Sequence, residues 1–271
     1  MIQLLVQSDD YGITPGVSAG IREGIQNGII RNTGIFINMP CSYQAAQDIK
    51  NMDVCLGIDI NYVCGKPVSD PKLIPHLVDE NGDFYKSTDI SQKHKIVSYE
   101  NLITTFEIDP YPYHEIYLET ENQVKRFIEI IGRLPEYIHP HSLLTPNTYK
   151  AAQKIAQKYG IYHSMDMMLH YPCLPTTFMG TKGSNLQDQI DIDITKHLLE
   201  DDLPVLKNNQ TYYYIGHCGY IDYQLFEETT LTLRRIKDLQ AMLDKDIISY
   251  IHNHDIKLIT YKKFKINEKK T

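Results

Sequence analysis

Short apolar runs recur along this chain, and stretches with helical spacing lie between them. Residues 2–7 form a compact apolar run that reads as a buried strand. Over 15–28, Pro15 stands near a helix start, and Val17, Ile21, Ile25 and Ile29 recur at every fourth position, as on one face of a helix. A strand is predicted at 34–38, a helix at 42–50 and another strand at 54–61. Residues 62–95 carry several Pro, Gly and Asp and read as a long insertion, of the kind that forms lids or binding loops. Helices follow at 113–131, with Ile116, Val124, Phe127, Ile128 and Ile131 on the apolar side, and at 145–159; a short strand and turn at 137–141 separates them. Residues 165–190 read as irregular, 212–217 as a strand, 229–253 as mostly helical and 258–261 as the last strand. Strand and helix alternate without a repeat or a composition break, which predicts one α/β domain over 1–271 built on a parallel sheet. A barrel is preferred over an open sheet for two reasons. The notable polar residues fall at the ends of several strands, and no Gly-rich nucleotide fingerprint follows the first strand.

Composition narrows the classes. Of 271 residues, 42% are hydrophobic, enough for a large core and too many for a disordered chain. Lys and Arg number 27 against 34 Asp and Glu, a net charge of −7, which argues against a general nucleic-acid binder. Cys41, Cys55, Cys64, Cys173 and Cys218 are widely spaced and form no C-x-x-C, so neither a disulfide framework nor a zinc knot is expected. The first apolar run is too short for a signal peptide, and no later one spans a membrane; a reduced cytoplasmic compartment is the expectation. The chain has 20 Tyr and no Trp, so whatever it holds is held without indole rings.

Candidate chemistry lies at the strand ends. Asp9 and Asp10 follow the first strand directly, and two adjacent carboxylates resist burial without a cation or donor. Read alone, the pair serves either a metal with a neighbouring base or a helix cap before the segment at Thr14. Asp59 alternates with Leu56, Ile58 and Ile60 on its strand, so it faces either a site or, as the pattern alone favours, solvent. His139 and His141, one residue apart, share a face in a strand, where they could meet one metal, or they are polar residues of a Pro-containing turn. His217 ends a strand before a Gly turn and is a candidate acid or a structural histidine; Cys218 beside it is a weaker candidate nucleophile.

In chain order these motifs resemble the YdjC-like (ChbG-type) carbohydrate deacetylases. Ser8-Asp9-Asp10-Tyr11-Gly12-Ile13-Thr14-Pro15-Gly16-Val17 resembles the family's opening ADDFG-x-(S/T)-P-x-V. Leu56-Gly57-Ile58-Asp59-Ile60-Asn61, followed by Gly65-Lys66-Pro67-Val68, is similar to IG-(L/V)-HLNLT…GKP. Leu77 to Phe84 resembles LVDE-x-G-x-F, and Glu119 and Gln123 match an E-x-x-x-Q helix. Gly132-Arg133-Leu134-Pro135 leads into Ile138-His139-Pro140-His141, where the family has P-x-H-I-D-S-H; His217 to Asp222 resembles HPG-(Y/F)-x-D, and Arg235 to Leu239 resembles R-x-x-E-(L/V). The ordered set runs from residue 8 to residue 239.

The resemblance implies a deformed (β/α) barrel of the glycoside hydrolase/deacetylase type, with 62–95 as lid. It also implies one divalent metal ion, Mg or Zn, and removal of N-acetyl groups from amino sugars. It places the metal at Asp10, Asp59 and His141, makes Asp9 the base and puts His217 near the acetyl group as acid. Tyr11, Asn61, Tyr220 and Arg235 are expected to touch substrate, as are tyrosines beside the motifs such as Tyr62 and Tyr85. Two departures stand at the centre. The family's metal-binding His is Asp59 here, and its Asp in I-D-S-H is His139; Leu143 stands where a further His often follows. If the two exchanged positions face each other, the inventory of acids and imidazoles is kept, with His139 as a supporting or alternative ligand. The expected partner is a small N-acetylated or phosphorylated sugar, with no nucleic acid or membrane and with homodimerisation open. The rival readings are hydrolysis of another sugar bond and a non-catalytic sugar-binding protein on the same scaffold.

Overall fold

The computed structural model describes residues 1–179 and 185–267. The strands are β1 (Gln3–Tyr11), β2 (Asn32–Ile35), β3 (Cys55–Ile60), β4 (Ile96–Glu100), β5 (Ile103–Phe106), β6 (Tyr137–Pro140), β7 (Tyr162–His163), β8 (Thr211–Gly216) and β9 (Lys257–Ile259). Seven of them form one sheet in the order β7-β6-β3-β2-β1-β8, with β9 paired to the start of β1; the pairings are all parallel. The sheet curls into a half-barrel with helices packed around it, so the carboxyl ends of β1, β3, β6 and β8 lie along one edge. The alternation of elements predicted the parallel sheet, and the family resemblance implied the deformed barrel, here left open between its edge strands.

The helices form where the apolar spacing and the caps agree. Helix α1 (Pro15–Asn27) starts at Thr14, whose hydroxyl accepts the Val17 amide, and Pro15 supplies the pre-set first turn. It buries Val17, Ile21 and Ile25 against the sheet. Helix α2 (Ser42–Ile49) follows β2, and α3 (Ser87–Lys93) lies in the long insertion. Helix α4 (Tyr113–Ile131) buries Ile116, Val124 and Phe127 and stops at Gly132, whose φ of 83° suits a residue without Cβ. Helix α5 (Pro146–Tyr159) is capped by a reciprocal Thr145–Thr148 pair. The 229–253 region resolves into helices Leu233–Leu243 and Lys245–Asn253.

The insertion is anchored at its root. Glu119 and Gln123, buried one turn apart on α4, take the expected places: Glu119 accepts the amides of Val68 and Ser69 at 2.9 Å each, and Gln123 brackets Asn61, accepting its amide at 3.1 Å and donating to its carbonyl at 2.6 Å. Two features depart from the expectations. β4 and β5 form an antiparallel hairpin after the insertion, and the stretch expected to be irregular contains helices Ser164–His170 and Leu186–Asp191. Residues 180–184 of that stretch lie outside the described residues. All five cysteines are free, and among the described residues no helix is long and apolar enough to cross a membrane.

Candidate functional site

The register of the sheet assembles the site. β1 pairs with β8 up to Ser8 opposite Gly216, so Asp9 and His217 stand at the next level on neighbouring strands. β3 pairs with β6 with Asp59 directly opposite His139. The two exchanged positions therefore do face each other.

Asp9 is buried. Its Oδ1 accepts the Gln7 side-chain amide at 2.5 Å, and its Oδ2 lies 3.3 Å from His139 Nε2, while His139 Nδ1 is 2.8 Å from the Ser164 hydroxyl. Gln7 is itself held by the Tyr261 hydroxyl at 2.6 Å. Burial pushes the Asp9 carboxyl up, but the charge and hydrogen bond of His139 outweigh it and leave it below the usual range. Burial acts on His139 in the opposite sense and is again outweighed, by Asp9, so that its pKa rises to about 9. Asp9 and His139 are thus an ion pair at neutral pH.

Asp10 sits in the left-handed region, with φ 68°, an uncommon conformation for a residue with a Cβ that clusters at functional sites. Its Oδ2 accepts the Arg235 guanidinium at 2.6 Å, and its Oδ1 lies 2.9 Å from His141 Nδ1 without hydrogen-bond alignment. Burial would raise this carboxyl; His141 and Arg235 hold it well below the carboxylate range. His141 is set by its amide on the Ile60 carbonyl at 3.1 Å and by the edge of Phe36, with ring centres 4.6 Å apart.

Asp59 is fully buried, which corrects the solvent-face reading of its strand pattern. Its Oδ2 accepts the Asp10 amide at 2.9 Å, and its Oδ1 has no hydrogen-bond partner among the described residues. Gly34 of β2 backs it: a Cβ there would fall 1.6 Å from Oδ1. Burial, then the nearby charge of Asp9, raise the Asp59 carboxyl well above its ordinary range.

His217 is fixed by its amide on Asp238 Oδ2 at 2.8 Å, and Asp238 is held in turn by Tyr214 and Arg234. Its Nδ1 has no partner among the described residues, and burial lowers its pKa against the pull of Asp10 and Asp9. Cys218 is buried with its thiol pKa pushed well up by burial, so it stays a thiol and the weak nucleophile idea falls.

Asp9, Asp10, His141, His217 and Arg235 line one cavity of about 400 Å³. The insertion adds Val63, Cys64, Lys86, Ser87 and Thr88, and the loop after β8 adds Phe226 to Leu231. The 62–95 insertion was expected as a lid or binding loop, whereas the loop residues 226–231 carried no sequence signal of their own. Of the expected substrate contacts only Arg235 is at the cavity. Tyr11 is fully buried and donates to the Ala45 carbonyl at 2.9 Å; Asn61 is buried in the turn after β3; Tyr220 bonds Glu23. Tyr62 is buried on Thr120, and Tyr85 lines a separate pocket beside His76 and His94. The aromatic side chain at the cavity is Phe226, 62% exposed.

The expected ligand trio is not gathered around one point. The Asp59 carboxyl ends on the Asp10 amide and is absent from the cavity wall, and Asp10 is already paired with Arg235. Among the described residues no three His, Cys, Asp or Glu side chains are grouped to hold an ion. The donors present do not fit a three-ligand site.

A sequence profile of the YdjC-like protein family matches residues 3–253. The chain belongs to the YdjC-like family. Among curated relatives, this YdjC-like chain is 27% identical over 264 residues to a carbohydrate deacetylase of Thermoanaerobacter pseudethanolicus, covering 96% of this chain and 98% of that one. It is likewise 27% identical over 267 residues to a carbohydrate deacetylase of Geobacillus stearothermophilus, covering 96% and 97%. Among solved structures, an Enterococcus faecalis protein named for cellobiose-phosphate cleavage superposes with a TM-score of 0.74 at 19% identity, covering 97% of this chain and 98% of that one. That likeness shows the shared fold.

Proposed function

We propose that this YdjC-like chain hydrolyses the N-acetyl amide of a small amino sugar in the cavity at the ends of β1, β6 and β8. The observation that carries the reading is the convergence of Asp9 and His217 on one cavity wall, beside the Asp10–Arg235 pair. The names of its relatives give the reading its substrate class. A water in the cavity attacks the acetyl carbon, and Asp9 accepts its proton. The Arg235 guanidinium keeps the buried Asp10 carboxylate neutralised beside the reacting amide. The proton taken by Asp9 passes through the imidazole of His217, on the same cavity wall, to the nitrogen as the C–N bond breaks, and acetate and the sugar amine leave. Glu227 and Glu228 line the same cavity, which favours a neutral sugar over its phosphate, although Lys86 stands beside them.

Acetate release from N-acetylglucosamine and N,N′-diacetylchitobiose tests the reaction. The expected result is acetate from at least one of them, lost at least about 100-fold in Asp9→Asn with sugar binding retained. Release of reducing sugar without acetate would instead support hydrolysis of the glycosidic bond, a reading that the Glu227 and Glu228 carboxylates on the cavity wall also serve. Binding of either sugar without any product would mark a sugar-binding protein on the same scaffold.

A further inference from the structure

The centre of the cavity holds an arrangement that the motifs alone do not describe. Asp10, Asp59 and His141 were expected around a cation, with His139 in support, yet each has a protein partner. Asp9 is paired with His139, and Asp10 is clamped between Arg235 at 2.6 Å and His141 at 2.9 Å. Asp59 is spent on the Asp10 backbone amide at 2.9 Å, wedged against Gly34 and away from the cavity wall. Arg235 is 1% exposed, so its charge is as deep in the protein as the carboxylate it meets. A buried ion pair of this kind is already neutral, and a divalent ion entering beside Asp10 would meet a fixed positive charge at hydrogen-bond distance.

We infer that the positive charge of this site is built into the chain: Arg235, rather than a cation held by Asp10, Asp59 and His141, neutralises Asp10, and Asp59 acts as a packed acceptor that sets the Asp10 backbone. Arg235 is a positioning residue in this account, and Asp59 is not a ligand. Of the three expected ligands an entering zinc ion would find two, Asp10 and His141, one of them shared with a guanidinium, and among the described residues no third His, Cys, Asp or Glu is grouped with them. Tight structural or catalytic zinc sites use three or four. The Asp59–His139 exchange is the local cause. A carboxylate at position 59 is short enough to stop at the Asp10 amide, and an imidazole opposite it pairs with Asp9 instead of supporting a metal ligand.

The inference takes the proposed deacetylation as its setting, but its test needs no turnover, so failure of either is seen separately. The full chain, stripped with chelator, is titrated with zinc chloride by calorimetry and by competition with a chromophoric chelator, and retained zinc is measured by elemental analysis after gel filtration. Two results are expected. Wild type either retains no stoichiometric zinc or binds it with an affinity that Asp59→Asn, which can still accept from the Asp10 amide, moves less than about threefold. Arg235→Met, which frees Asp10, raises zinc affinity about tenfold or more, roughly the size of removing one close like charge. The inference is overturned if wild type retains one equivalent and Asp59→Asn weakens it about 100-fold, the usual cost of losing a ligand or its close support. It is equally overturned if folded Arg235→Met, checked by circular dichroism, binds zinc no better than wild type.

Discussion

Gly34→Ala is the substitution whose outcome the structure specifies most sharply. The added methyl carbon would lie 1.6 Å from Asp59 Oδ1 and 2.3 Å from its Cγ, far inside any contact distance. Because Asp59 is fully buried, its carboxyl has no open space to swing into. The variant must either spread β2 from β3 or push the carboxyl off the Asp10 amide, breaking the 2.9 Å hydrogen bond. Overpacking of a core costs about 1–3 kcal/mol. A buried amide left without its acceptor costs about 1–3 kcal/mol more. Together the expected loss is roughly 2–6 kcal/mol, read by urea denaturation with circular dichroism as a fall in midpoint at unchanged slope. A mutant cycle isolates the cause. In an Asp59→Ala background the methyl meets no carboxyl, so the same Gly34→Ala change should cost under about 1 kcal/mol, a coupling of at least about 1 kcal/mol. Additive losses in the cycle, or a Gly34→Ala cost below about 1 kcal/mol in the parent, would refute the packing argument.

Three further outcomes are expected. His163 is buried, neither ring nitrogen has a hydrogen-bond partner among the described residues, and burial depresses its pKa to about 4. The unfolded chain takes up this proton near pH 6.5 and the folded chain only near 4, so stability is full above pH 6.5 and falls by about 3 kcal/mol as pH drops through that window; His163→Phe should flatten this part of a stability–pH curve. Tyr11→Phe removes the hydrogen bond to the Ala45 carbonyl and the one accepted from Arg22, none of these residues lining the cavity, so it should cost about 1 kcal/mol in denaturation and leave kcat/KM for acetate release unchanged within about twofold. Phe226→Ala should do the reverse, raising KM about threefold to tenfold with no loss of stability, because its exposed ring is the flat apolar face at the cavity.

These contrasts show where the sequence is informative. The apolar spacing located every strand of the main sheet except β7, the two-residue Tyr162–His163. It also placed Asp9, Asp10, His141 and His217 at strand ends, because parallel strands bring their carboxyl ends to one edge. Proximity in sequence misled for the tyrosines. Tyr11 directly follows Asp10, and successive side chains turn to opposite faces, so the approach of Asp10 to the site turned Tyr11 into the core; Tyr62 lies beyond the end of β3 and is buried on Thr120. The β4–β5 hairpin was hidden for a different reason. Its turn uses Asn101 and Leu102 at φ 51° and 66°, and Leu in the second place lacks the glycine that marks such turns. The pairing of Asp59 with His139 joins positions far apart in the chain, and only the register shows that the exchange is local.

The Glu119 and Gln123 contacts have a kinetic corollary. They bind the start of the insertion to α4 through buried backbone hydrogen bonds, whereas its tip meets the opposite loop through Lys86, half-buried, bonded to the Glu227 carbonyl at 2.7 Å and facing Glu228. Any opening that admits a sugar is therefore divided along the segment. The amides of Val68 and Ser69 should exchange with deuterium only as slowly as the barrel itself opens, while those of Ser87 and Thr88 exchange on the faster clock of the tip. Raised salt, which screens such charges, should loosen the Lys86 contact and speed exchange at the tip without loosening the fold.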